Sequence, residues 1–167
     1  KFFGKGSIAG IPVPVIILII VFLLAHYILT QTSYGRSVYA VGGNREAARL
    51  SGIRVKTSEF LVYTLNGLMC GMAGLILTAR LGSAQSTSGT GIEMDAIAAV
   101  ILGGTSLSGG VGFVLPTVVG AMIMGIIDNI LTLMNVNPHA TNIVKGAVIL
   151  IAVLVDKKVK DLSAKAE

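Results

Sequence analysis

The run VIILIIVFLLA at Val15–Ala25 has no polar side chain and lies inside an apolar stretch from about Ile11 to Thr30. Pro12 and Pro14 stand at the start of that stretch, where a missing backbone N–H costs a helix little. About 20 apolar residues are what a hydrocarbon core of roughly 30 Å asks of a helix. Working outward, Phe60–Leu81 is a second stretch of sufficient length. The whole chain agrees: 53% of its residues are hydrophobic, 13% are charged, and its mean hydropathy is +0.83. A soluble domain must cover its surface with polar groups, so this composition predicts an all-α integral membrane chain.

The polar segment 31–58 between the two stretches carries Arg36, Arg45, Arg49, Arg54 and Lys56 against one acid, Glu46. By the positive-inside rule it is a cytoplasmic loop, so the first span descends into the cytoplasm and the second climbs out. A net charge of +5 and a pI near 9.6 would also suit a nucleic-acid partner. No Lys or Arg occurs between Arg80 and Lys145, however, so the bases are confined to loops and ends, and sidedness explains them better. The single cysteine, Cys70, lies in an apolar run and can form neither an internal disulfide nor a Cys-based metal site. A chain that begins at Lys1 without a leader pattern is expected to be part of a longer protein.

Beyond Leu81, residues 82–95 are polar with two acids and no base, as an outside loop should be. Ala96–Leu102 is too short to span and breaks into GGTSLSGGVG at Gly103–Gly112. Glycine-rich irregular backbone at membrane depth is tolerated only when buried in protein or beside a water-filled cavity. The segment 96–112 is therefore a short, broken crossing or a re-entrant turn. Two further spans follow, 113–134 and 143–155, then the basic tail 156–167 with Lys157, Lys158, Lys160 and Lys165. If that tail is cytoplasmic, parity favours a crossing at 96–112 and a total of five spans in a single membrane domain.

Within the cytoplasmic loop, GGNREAARLSGI at Gly42–Ile53 reads as a helix over Arg45–Ser51. Asn44 is a good N-cap, Glu46 lies in the first turn where the helix dipole favours an acid, and Gly52 supplies a left-handed stop. Seven residues fall well short of the roughly 12–15 that are marginally stable alone in water, so the helix must pack on something. It lies under its own spans with arginines at lipid headgroups, or it docks into a cytoplasmic partner, for which Ala47, Ala48 and Leu50 are suited.

Three motifs carry a resemblance: GRSVYAVGGNREAARLSGI at Gly35–Ile53, EMDAIAAVILGGTSLSGGVG at Glu93–Gly112 and NIVKGAVILIAVLVD at Asn142–Asp156. In order and spacing, from about Pro12 to Lys158, the chain resembles the permease subunit of bacterial ABC monosaccharide importers of the ribose/galactose/xylose type. The resemblance implies the C-terminal half of a type II-like importer permease, multi-pass in the bacterial inner membrane. It also implies a coupling segment to the ATPase at Asn44, Arg45, Glu46, Ala47, Ala48, Arg49, Leu50, Ser51 and Gly52. The implied partners are that ATPase, a second permease copy, a periplasmic sugar-binding protein and membrane lipid. No G-x-x-x-x-G-K-[ST] loop is present, and GKGS at Gly4–Ser7 lacks its order, so ATP is expected on the partner chain and no cofactor or metal on this one. The permease would do no chemistry. The SGGVG form and the VNP turn lean the cargo toward galactose or a galactoside. Branched-chain amino acids and nucleosides are the nearest rival cargoes.

Pathway candidates are Gly103, Gly104, Thr105, Ser106 and Ser108, whose carbonyls and hydroxyls suit sugar hydroxyls, with helix crowding and a tight turn as the alternative. Asn66, Asp128 and Asn129 are polar residues inside spans, suited to substrate contact or interhelical hydrogen bonding. Asp128 would be the carrier if the chain were instead a proton-coupled transporter. Glu93 and Asp95, two apart on a helix, point to different faces, which argues against a catalytic pair and for capping or contact with the binding protein. His139 in the outer turn joins them as a binding-protein contact. Lys145 is expected to be an interface anchor or a neighbour of the outer acids. Gly67, Gly71 and Gly74, and Ala121 with Gly125, have the small-residue spacing of packed membrane helices.

Overall fold

The computed structural model describes residues 6–8, 10–85 and 87–164. Among them the all-α architecture is complete but for one hairpin of two residue pairs, Ser7–Ile8 (β1) against Ile11–Pro12 (β2). The chain divides into two compact units, residues 1–90 and 91–167.

In the first unit, α1 (Val13–Gln31) starts where proline permits, with Pro12 at the N-cap and Pro14 in the first turn. It stops at Thr32, whose extended backbone also opens α2 (Ser33–Gly43). One hydroxyl serves both ends: Thr32 Oγ1 donates to the Ile28 carbonyl at 2.6 Å and accepts from the Gly35 N–H at 3.2 Å. A Cβ on Gly35 would run into the Leu29 carbonyl, so the joint requires glycine. The segment expected as loop at 31–58 is thus mostly helical: α2 is followed by α3 (Arg45–Leu50) and then α4 (Val55–Leu81). Ser, Gly and Tyr in α2 hide it from a hydropathy reading, and its stability comes from packing on α1, α3 and α4. At 27 residues α4 is about 40 Å long, more than a hydrocarbon core requires. It begins five residues before the expected apolar stretch and so takes in Lys56 and Glu59.

In the second unit, α5 (Ile92–Leu102) is only 11 residues, about 16 Å and half a bilayer core. It is followed by α6 (Val114–Leu133) and α7 (Pro138–Ala164). The last helix does not end at 155 but continues into the basic tail as far as Ala164. Between α5 and α6 the backbone closes on itself: Ser106 N–H donates to the Val111 carbonyl at 2.9 Å and Gly109 N–H to the Ser106 carbonyl at 3.1 Å. Helices α5 and α6 approach closely, because a Cβ on Gly103 would strike the Thr117 backbone and one on Gly120 the Ala99 carbonyl. Ala98, Ala99 and Met124 form the buried centre, with Leu102, Ile127, Val148 and Ile149 against it.

Replacing Gly120 by leucine in the full-length permease should destabilise it by about 1–3 kcal/mol, since overpacking forces the α5–α6 contact apart. Leucine at Gly125, where a Cβ meets nothing, is the control. Melting temperatures in detergent compare the two.

Candidate functional site

In the first unit α3 is built from its two ends. Asn44 Oδ1 accepts from the Ala47 N–H at 3.0 Å, the expected N-cap. At the other end Gly52 has φ +83°, its N–H donates to the Arg49 carbonyl at 3.0 Å, and the Ile53 N–H donates to the Ala48 carbonyl at 3.1 Å. This pair of bonds is a Schellman motif, and the positive φ selects glycine. Ser51 Oγ adds a bond to the Ala47 carbonyl at 2.9 Å. Glu46 lies in the first turn and reaches Arg49 only loosely, at 3.8 Å.

The faces of α3 differ from expectation at one residue. Ala48 is 4% exposed, buried in the elbow that α2, α3 and α4 form, while Leu50 is 79% exposed and Ala47 is exposed beside it. A helix too short to stand alone has to give one face to its own chain, and Ala48 supplies that face. Arg45 meets Glu59, the residue just past the loop boundary drawn from composition: Nε lies 2.9 Å from Oε1 and Nη2 donates to Oε2 at 3.0 Å. Nothing in the sequence pairs residues so far apart, so Glu59 has no local signal there.

In the second unit three charged side chains from three helices converge. Lys145 Nζ on α7 lies 2.6 Å from Asp95 Oδ1 on α5 and 2.9 Å from Asp128 Oδ1 on α6. The side chains are 14%, 26% and 35% exposed, respectively. Both Oδ1 atoms are shut away from water, and the ammonium faces each of them at ion-pair distance. The cluster sits roughly 5–10 Å along the helices from the start of α5, the end of α6 and the start of α7. It carries a net charge of −1. A charge in lipid is tolerated when paired, and this ammonium answers both acids at once.

The remaining expected residues lie apart from that cluster. Glu93 caps its own helix, its Oε2 accepting from the Gly91 N–H at 3.1 Å, so the two acids do face different ways. Gly103 makes the close helix approach, and Gly104 ends α5 at φ +74°. Ser106 is buried in the loop and its Oγ accepts from the Ser108 N–H at 3.1 Å, while Thr105 packs on Gly112. Asn66 on α4 and Asn129 on α6 are exposed. The His139 side chain lies outside the described residues. Gly67, Gly71, Gly74 and Gly125 have open space beside them. Among the described residues no group of three or more His, Cys, Asp or Glu gathers to hold a metal ion.

A family model for the permease component of branched-chain amino acid transport systems matches residues 2–153. The chain belongs to that family. The ribose import permease protein of Escherichia coli (strain K12) is 54% identical over 156 residues, 93% of this chain and 49% of the relative. The ribose import permease protein of Bacillus subtilis (strain 168) is 49% identical over 158 residues, 95% of this chain and 49% of the relative. The xylose transport system permease protein of Escherichia coli (strain K12) is 48% identical over 151 residues, 90% of this chain and 38% of the relative. The chain therefore spans about half the length of the ribose permeases it matches. No solved structure matches it. As a member of this permease family it is a multi-pass chain of the inner membrane, with α1, α4 and α6 long and apolar enough to cross.

The charge count makes the cluster asymmetric to mutation. Lys145→Met leaves two like charges facing each other and should cost about 1–3 kcal/mol, less than a fully buried pair because both carboxylates keep some water. Asp128→Asn leaves a neutral Asp95–Lys145 pair and should cost under about 1 kcal/mol. Thermal melting of the two full-length variants in detergent reads the difference.

Proposed function

We propose that this chain forms a large part of the transmembrane permease of an ATP-binding-cassette importer for a monosaccharide. The single observation that carries the reading is its 48–54% identity, over nine-tenths of its length, to permeases named for ribose and xylose. Both names are pentoses, and we place the cargo among pentoses in preference to galactose. The permease does no chemistry itself. ATP is bound and hydrolysed on a cytoplasmic partner, a periplasmic binding protein delivers the sugar, and a second permease copy completes the pathway.

In this reading α1 descends, α4 climbs out, and α5 with the 103–113 loop returns toward the cytoplasm as a short broken crossing. Helices α6 and α7 then climb and descend. The Asp95–Lys145–Asp128 cluster supports that alternation, because it brings the start of α5, the end of α6 and the start of α7 to one level. The basic residues of α2 and α3 and of the α7 tail then share the cytoplasmic side. The mechanism is alternating access: the ATPase displaces α3, the displacement tilts the spans, and the pathway opens to the other side. Asp128 is bound to Lys145 in an ion pair, which suits a fixed structural charge better than a proton carrier.

The docking surface consists of the outward residues of α3, Ala47 and Leu50, with Ala48 excluded because its own unit covers it. Leu50→Glu and Ala47→Arg are expected to reduce ATP-driven uptake at least tenfold, the effect of losing about 1.4 kcal/mol at an interface anchor. The amount of permease in the membrane should not change. Uptake by these variants at the unmodified rate, or uptake that persists without ATP and collapses with the proton gradient, would refute the proposal.

A further inference from the structure

Helix α3 is joined to α4 by four residues, Ser51–Arg54, and that linkage fixes only its C-terminal end. Its N-terminal end is joined through Asn44 to α2 and not to α4; what ties that end to α4 is a second attachment, the two-pronged contact of the Arg45 guanidinium with the Glu59 carboxylate. A planar guanidinium held on both prongs by one carboxylate fixes orientation as well as distance, which a lysine at the same place would not do. A short rod held at one end pivots. Held at both ends, it moves with the body it is tied to.

Helix stability does not explain Arg45. It is the first residue of α3, the end where the helix dipole disfavours a cation, and Glu46 already supplies the acid that end favours. Nor does the pair hold the fold together: Arg45 is 67% exposed and Glu59 35%, and an ion pair so open to water contributes little to stability. The contact has a geometric consequence out of proportion to its energy.

We infer that Glu59 is a positioning residue for energy coupling: through Arg45 it locks the docking helix to the long membrane helix, so that displacement of α3 is passed to α4 as a rigid-body motion. This rests on the proposal that α3 is where the ATPase acts. Its loss lets α3 swing under the ATPase stroke while α4 lags, and ATP is hydrolysed without transport.

The test uses the full-length permease with its ATPase and binding protein in liposomes, reading sugar taken up per ATP hydrolysed. Glu59→Gln should lower that ratio about fivefold, the low end of the range for a lost coupling interaction. Its melting temperature should stay that of the unmodified protein. Arg45→Lys should behave like Glu59→Gln, because it keeps the charge and loses the fork. The double exchange Arg45→Glu with Glu59→Arg should recover most of the ratio. A Glu59→Gln protein with an unchanged ratio overturns the inference, as does a double exchange no better than either single variant. If Leu50→Glu abolishes uptake while Glu59→Gln couples normally, the tether is wrong and the docking surface stands. If neither variant has an effect, α3 is not the docking helix and the tether has no role.

Discussion

In hydrocarbon a peptide N–H or C=O without a partner has no water to turn to, and each one left open costs several kcal/mol. The ends of helices, where four groups are orphaned at each terminus, are where that constraint presses hardest. At three of its helix C-termini this chain answers it with backbone bonds. Helices α3, α5 and α6 end in the same paired bonds, closed by Gly52, Gly104 and Asn135, all at positive φ. Asn135 is the one non-glycine residue among the described positions to take that conformation, and asparagine is the side chain that tolerates it best. Because α5 can be finished so cheaply, it can stop after 11 residues at a depth where an unfinished end would be prohibitive.

The early stop has consequences for the charges. With the 103–113 loop folded onto its own carbonyls, the chain turns back beside α5, and glycines at 103 and 120 let the two helices approach until backbone meets backbone. That closeness, with the Ala98–Ala99–Met124 packing above it, sets Asp95 and Asp128 within reach of one ammonium on α7. A bulkier α5–α6 contact would part the acids, and one of them would then stand in a poorly solvated place without a counter-charge. The glycine-rich stretch therefore does two things at once: it ends a helix and it sets the spacing of a charge cluster some 10–15 Å away along the helix.

The parts of this structure legible in sequence are those set by composition over a long window. The apolar runs of α1, α4 and α6 announce themselves, and GGTSLSGGVG announces a break, because glycine is read for the same conformational reason that the fold uses it. Helix α2 was hidden by its low hydropathy and its three glycines, although Tyr34, Val38 and Val41 fall at helical spacing; Thr32 caps it and its neighbours cover it. Asn44 and Gly52 marked the ends of α3, which are local matters, but not the direction of its faces. That Ala48 turns inward is a property of the elbow between α2 and α4. Charged residues in the second unit were conspicuous as charges, and Lys145 could be suspected of meeting the outer acids. Which acid, and that it would be both, depends on a helix approach that two glycines determine and no local pattern displays.

The elbow also changes what glycine means at 52. A glycine beside a short helix suggests a hinge, yet here its N–H and that of Ile53 are both spent on carbonyls of α3, and its φ of +83° is the value those bonds require. Asn44, at the other end, is extended and spends its side chain on the Ala47 N–H. Neither end has a free rotation to offer while its bonds hold. With Ala48 sealed beneath and Arg45 held on Glu59, the soft direction left to α3 is a rocking of the whole elbow, in which α2 and the first turns of α4 move together. A force applied at Leu50 and Ala47 would therefore pull on a three-helix body whose far side is the base of a 27-residue helix. Such an arrangement converts a small push at the surface into a tilt along the length of α4, and it needs no conformational change inside α3 to do so.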